Sequence, residues 1–149
     1  VKRIYDIKKR ADNKSMLVLL DDAGKIASYA DVPDIALDLI EVADKPTTII
    51  YPGAKRLAPN LIAEDGTIGI RITREEFTRS LIFRYNKPIV STSANISGEP
   101  SPHFFGEISE EIKNAVDYIV DYRRNDHKPA APSSIIKLGM GGEIQIIRK

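Results

Sequence analysis

The sequence predicts an α/β protein built on a twisted mixed sheet flanked by helices. Short β-branched runs closed by Pro, Gly or Asp alternate along the chain with stretches of helical apolar spacing, the pattern of interleaved strands and helices. The last two apolar runs are separated only by Gly139-Met140-Gly141-Gly142, a hairpin signal that makes the sheet mixed. With 149 residues, 42% of them hydrophobic and 29% charged, the chain has the size and composition of a single domain over residues 1–149 and is too apolar to be disordered.

Val1 to Lys9 places Val1, Ile4, Tyr5 and Lys8 on one side, an amphipathic helix. No capping residue precedes it, so an upstream segment is expected to be missing. Met16 to Leu20 is a buried strand that runs into the turn Asp21-Asp22-Ala23-Gly24. Pro33 opens a helix over Asp34 to Ala43, with Ile35, Leu37, Leu39, Ile40 and Val42 as a broad buried face. Thr47 to Tyr51, between Pro46 and Pro52-Gly53, is a second strand. In Gly66 to Ile72 the isoleucines alternate with Thr67, Gly69 and Arg71, so Ile68, Ile70 and Ile72 face a core and Arg71 is presented on the other side. Thr73 is positioned to cap a helix over Arg74 to Tyr85, with Glu76 in the capping box and Phe77, Leu81 and Ile82 on its apolar face. Pro88 to Ser91 is a short strand; Ser109 to Val116 is a capped helix followed by a strand at Tyr118 to Val120; Ser134 to Leu138 and Glu143 to Ile147 form the final pair.

Composition removes several classes of chemistry. Without cysteine there is no disulfide, thiolate nucleophile or thiolate metal site. With His103 and His127 as the only histidines, no protein-held transition metal is expected, and any metal would be Mg2+ carried by a phosphate ligand. No apolar run approaches the roughly 20 residues of a membrane span and the first residues lack a signal peptide's apolar stretch, which points to a cytoplasmic protein without membrane contact. A net charge of +1, from 22 basic and 21 acidic residues, does not itself mark a nucleic-acid-binding face.

Four places have the residues to bind an anion. Lys8-Lys9-Arg10 ends the first helix; its cations either converge on one anion or only complement the helix dipole. Ser91-Thr92-Ser93-Ala94-Asn95-Ile96-Ser97-Gly98 follows a strand, where open α/β sheets receive phosphorylated ligands, although such residues also make turns with their own backbone. Ser133 and Ser134 head a strand, and Arg148 lies at the end of the chain; singly, either is ordinary surface. No Walker loop, G-x-G-x-x-G fingerprint or Ser/His/Asp set is present.

In combination these blocks resemble the YrdC-like threonylcarbamoyl-adenylate synthases. The match runs through Ile7-Lys8-Lys9-Arg10, Lys45 to Ile50, Gly66 to Ile72, Lys87 to Pro100 and Pro132 to Ile136, and the stretch Ser91-Thr92-Ser93-Ala94-Asn95-Ile96-Ser97-Gly98-Glu99-Pro100 is the most specific. The resemblance implies an open sheet with a concave ligand-binding face and an enzyme that condenses L-threonine, bicarbonate and ATP into threonylcarbamoyl-adenylate, releasing pyrophosphate. It implies that Lys8, Arg10, Ser93 and Asn95 hold the nucleotide's phosphates, with Ser91 and Arg148 also nucleotide-binding. Arg71 falls where the family contacts the threonine carboxylate, with Thr67, Ser133 and Ser134 in the substrate set. Partners implied are downstream tRNA-modification proteins and tRNA. Three departures stand out: the family's P-T-[DE]-T-x-Y-G-[LM] strand block does not precede Val1, Lys9 replaces a frequent glycine, and Lys14-Ser15-Met16 replaces K-P-L. Two rivals share the resemblance. One is a non-catalytic module binding tRNA or double-stranded RNA through Lys8, Lys9, Arg10, Lys55, Arg56, Arg123 and Arg124. The other is the related domain of hydrogenase-maturation carbamoyltransferases, whose long zinc-binding context this cysteine-free chain does not share.

Overall fold

The computed structural model describes residues 1–11, 16–129 and 131–149; Lys14 and Ser15 of the Lys14-Ser15-Met16 departure lie outside them. The chain divides into two compact units, Val1–Lys14 with Thr92–Pro132 and Ser15–Ser91 with Ser133–Lys149.

The second unit carries the sheet: β1 (Leu17–Leu20), β2 (Thr47–Tyr51), β3 (Ile68–Ile72), β4 (Ile89–Ser91), β5 (Ser134–Leu138) and β6 (Ile144–Arg148), in the order β4-β1-β3-β2-β5-β6. β1 with β3 and β2 with β5 are parallel, and the other three pairs are antiparallel, so the sheet is mixed as predicted. Strand alternation sorts its side chains. Val18, Leu20, Ile49, Tyr51, Ile68 and Ile70 are buried on one face, each full burial of an aliphatic chain being worth about 1.5–3 kcal/mol. The other face takes Leu19, Thr48, Arg71, Ile89 and Ile135, which the ladder registers set side by side.

Two α-helices among the described residues belong to this unit, α1 (Ile35–Val42) and α2 (Glu76–Tyr85). Each buries less than its periodicity promised. In α1 only Ala36 is buried, and Ile35, Leu37 and Val42 are exposed; in α2 Ile82 is buried while Phe77 and Leu81 are exposed. Periodicity identifies an apolar stripe, and whether another element covers it depends on tertiary packing. The start of α2 also differs from expectation. Glu75 is the cap, accepting from the backbone N–H groups of Phe77 and Thr78, and Thr73 stays outside the helix. Arg74, expected to be helical, instead donates to Ile40 O and Ala43 O, satisfying carbonyls that the end of α1 leaves open.

The first unit contains α3 (Lys2–Lys8), which lies ahead of β1 in the sequence, and α4 (Glu110–Ala115). Ser109 caps α4 as expected, its Oγ accepting from Ile112 N. Arg3 forks onto Asp117 and reaches Ala115 O, and Lys9 pairs with Glu111, so both ion pairs join α3 to the α4 region. The expected strand at Tyr118 to Val120 does not form: Tyr118 is 77% exposed, and no strand in this unit lies within the described residues to pair with it. A β-prone run without a partner edge has no ladder to join. Among the described residues no helix is long and apolar enough to cross a membrane.

Candidate functional site

Arg71 stands in the middle of the less buried face of the sheet, in register with Thr48 on β2 and Leu19 on β1. Two residues earlier is Gly69, where a Cβ would sit 3.4 Å from Leu17 Cβ and from Thr48 Cγ2; glycine keeps the floor low beside the guanidinium. Arg71 is half-buried, and its guanidinium makes no hydrogen bond or ion pair with a described residue. Burial pushes its pKa below the ordinary arginine value while leaving it cationic. A desolvated guanidinium fork without a protein acceptor has the properties of an anion receptor.

Next to it a short polar chain crosses three strands. Thr48 Oγ1 and Ser133 Oγ are 2.9 Å apart, Arg148 Nε donates to Ser133 O at 2.9 Å, and Arg148 Nη2 lies 3.4 Å from Ser133 Oγ. Ser133 therefore shares the face of Arg71, whereas Ser134, one residue on, projects to the opposite face and is buried there. The pair of serines is thus split, only Ser133 being available beside Arg71. Thr67 is also committed internally: its hydroxyl donates to Asp65 Oδ1 at 2.6 Å and its backbone N–H to the same oxygen at 3.2 Å. Lys137 completes that turn, 2.5 Å from Asp65 Oδ2, and these bonds hold the Asp65 carboxyl at a pKa of about 2. Ser91 ends β4 on the Arg71 face, being in register with Leu17, and its hydroxyl has no partner among the described residues.

The other predicted residues belong to the first unit. Lys8 is 3% exposed, and its ammonium donates to Ser93 O at 2.5 Å and Asn95 O at 2.6 Å, with Asn95 Oδ1 at 3.5 Å. Its backbone carbonyl accepts from Ser97 N at 2.8 Å. Burial foremost, and then repulsion from Arg10, lowers its pKa. Lys8 is therefore the post around which the Ser93–Ser97 loop is wrapped. Asn95 is similarly engaged, its amide donating to Ile96 O and Glu99 O. Arg10 is half-buried, while Ser93 is exposed and its hydroxyl has no partner among the described residues.

The remaining cations are largely compensated. Lys9 pairs with Glu111, Lys55 with Asp31, Arg123 with Asp126 and Arg124 with Asp121, which dilutes the basic surface that the RNA-binding reading assembles from them. A cavity of about 600 Å³ in the sheet unit is lined by Asp21, Lys25, Arg74, Arg79, Phe83 and Arg84 and includes none of the predicted residues. Among the described residues no group of three or more His, Cys, Asp or Glu side chains is placed to hold a metal ion. The sequence reading missed Thr48; the signal available was a second threonine in an otherwise apolar strand.

Residues 1–149 match the family Sua5_yciO_yrdC, described as telomere recombination, and the chain belongs to that family. It is 39% identical over 139 residues to a Methanocaldococcus jannaschii protein named "Putative threonylcarbamoyl-AMP synthase", covering 93% of this chain and 64% of that one. Among solved structures it resembles P. abyssi Sua5 complexed with L-threonine, with a TM-score of 0.79 and 24% identity over 92% of this chain and 40% of that one. It also resembles full-length HypF in its phosphate- and nucleotide-bound form, with a TM-score of 0.81 and 24% identity over 99% of this chain and 23% of that one. At these identities the two structures establish the fold. The chain spans less than two thirds of the length of each of these three proteins.

Proposed function

We propose that this chain carries the synthesis of L-threonylcarbamoyl-adenylate from L-threonine, bicarbonate and ATP, with release of pyrophosphate. The observation that carries the reading is the half-buried Arg71 guanidinium, which has no acceptor among the described residues and stands beside the Thr48–Ser133–Arg148 chain. The name of the M. jannaschii relative, the L-threonine bound to P. abyssi Sua5, and the phosphate and nucleotide bound to HypF all support it.

The chemistry balances without a bond to the protein. The threonine amine adds to the bicarbonate carbon with loss of water, giving an N-carboxylate. An oxygen of that carboxylate attacks the α-phosphorus of ATP, the bond to the bridging oxygen breaks, and pyrophosphate leaves with the electron pair. What a protein must supply is orientation and positive charge where negative charge develops. Arg71 and the hydroxyl pair would hold the amino-acid carboxylate. Ser91 and Arg148 of the sheet unit would donate to the phosphates. Lys8 and Asn95 would act by fixing the loop that carries Ser93. Mg2+ would enter with the nucleotide, and its charge would add to that of the protein's cations at the phosphates. The product would pass, in the cytosol, to proteins that transfer the threonylcarbamoyl group to a tRNA adenosine.

The test is pyrophosphate release from ATP by the purified protein, with and without L-threonine and bicarbonate. Release that requires both, and falls at least about a hundredfold in Arg71→Ala, is the expected result. Salt-dependent RNA binding with no pyrophosphate under any condition would replace the reading by that of an RNA-binding module.

A further inference from the structure

The hydroxyls of Thr48 and Ser133 contain one proton more than the described residues accept. Thr48 is 2% exposed and Ser133 4% exposed, and the 2.9 Å contact between their oxygens uses one of the two protons. Arg148, the other group at Ser133 Oγ, is solely a donor. Neither hydroxyl has another partner among the described residues, so whichever way the shared bond runs, one hydroxyl proton is left without an acceptor. A buried donor left in that state costs about 1–3 kcal/mol. Thr48 is in direct register with Arg71, whose guanidinium is likewise without an acceptor among the described residues. Two adjacent sets of unmatched donors, with no matching carboxylate among the described residues, define the complementary ligand: a group that only accepts hydrogen bonds and carries negative charge.

We propose that Thr48 is the positioning residue of this subsite, acting through Ser133 so that the hydroxyl pair presents a single donor to a carboxylate held by Arg71. This rests on the reading that the chain binds an amino acid, and it adds the element that fixes the polarity of the contact. With Thr48 in place, Ser133 Oγ is held on the line between β2 and Arg148 and cannot turn away from the face. Without it, Ser133 keeps its proton but loses its orientation. Selectivity follows: a carboxylate satisfies both Arg71 and the hydroxyl proton, whereas a carboxamide turned the wrong way would present N–H to N–H.

The experiment is calorimetric titration of L-threonine and L-threoninamide into the wild type, Thr48→Val, Thr48→Ser, Ser133→Ala and the double variant Thr48→Val/Ser133→Ala, with steady-state pyrophosphate release alongside. Valine preserves the shape of threonine on a strand, and an unchanged melting temperature checks that the fold is intact. Thr48→Val is expected to weaken L-threonine binding by about tenfold, raising KM with kcat little changed, and Thr48→Ser to restore it. The double variant should bind no more weakly than Ser133→Ala, because Thr48 acts through Ser133. L-threoninamide should bind weakly to the wild type and be insensitive to Thr48→Val. Full L-threonine affinity in Thr48→Val, or additive losses in the double variant, would overturn the inference and leave the proposed function standing. A wild type that binds no L-threonine at all would overturn both.

Discussion

Replacing Lys8 by methionine tests whether this lysine is chiefly a ligand for an external anion or the organiser of its own loop. The side chain is 3% exposed, and its ammonium donates to two backbone carbonyls, Ser93 O at 2.5 Å and Asn95 O at 2.6 Å. Hydrogen bonds from a charged donor contribute about 1.5–3 kcal/mol each, so the gross loss is about 3–6 kcal/mol. Part is recovered because the ammonium's desolvation, visible in its lowered pKa, is relieved, and because a loop carbonyl can turn to water. The net destabilisation expected is about 2–4 kcal/mol. Chemical denaturation would measure it, and amide hydrogen exchange would locate it in residues 93–99. Lys9→Met is the control: Lys9 sits on the same turn, exposed and paired with exposed Glu111, and its loss should leave the denaturation midpoint nearly unchanged. If Lys8→Met costs no more than Lys9→Met and leaves exchange in the loop unchanged, the ammonium is not holding the loop and the reasoning fails.

Two further perturbations test other parts of the sheet unit. Gly53 has φ +64, and a Cβ there would lie 2.0 Å from Asp31 Oδ2, so Gly53→Ala combines left-handed backbone strain with displacement of a carboxylate. A cost of about 1–2 kcal/mol is expected in a denaturation midpoint, reduced in the Asp31→Ala background to the backbone contribution alone. Asp65, held at a pKa of about 2 against an ordinary 3.8, binds a proton less readily folded than unfolded. Its contribution is therefore present above pH 4 and lost as pH falls from about 4 through 2; for this exposed pair it should amount to no more than about 1 kcal/mol. Acid titrations of stability should show that increment in the wild type and not in Asp65→Asn.

Much of the fold was written in local patterns. All six strands that form lie where β-branched runs and turn residues placed them, and the hairpin of β5 and β6 follows from its glycines. The alternation in β3 was sufficient to put Ile68 and Ile70 in the core and Arg71 on the other face, because side-chain direction along a strand has a fixed period of two. Residues whose outcome hangs on a distant partner were not legible in this way. Tyr118 to Val120 has strand composition and, among the described residues of its unit, no strand to pair with, and Ile35, Leu37 and Val42 have helical spacing and yet stay exposed.

For the candidate site, the sequence by itself determined which residue types were on hand: the cations of Lys8 and Arg10, the hydroxyl loop from Ser91 to Ser97, Arg71 on a strand, and the serines at the head of β5. Tertiary structure alone decided how each is used. It buries Lys8 against carbonyls 85 and 87 residues away, spends the Thr67 hydroxyl on Asp65, separates Ser133 from Ser134 across the sheet, and brings in Thr48, 85 residues before Ser133. A sequence states what a side chain can donate or accept; which of those bonds remain open to a ligand depends on the neighbours that folding brings within 3 Å, and those are set by strand pairing and loop closure across the whole chain.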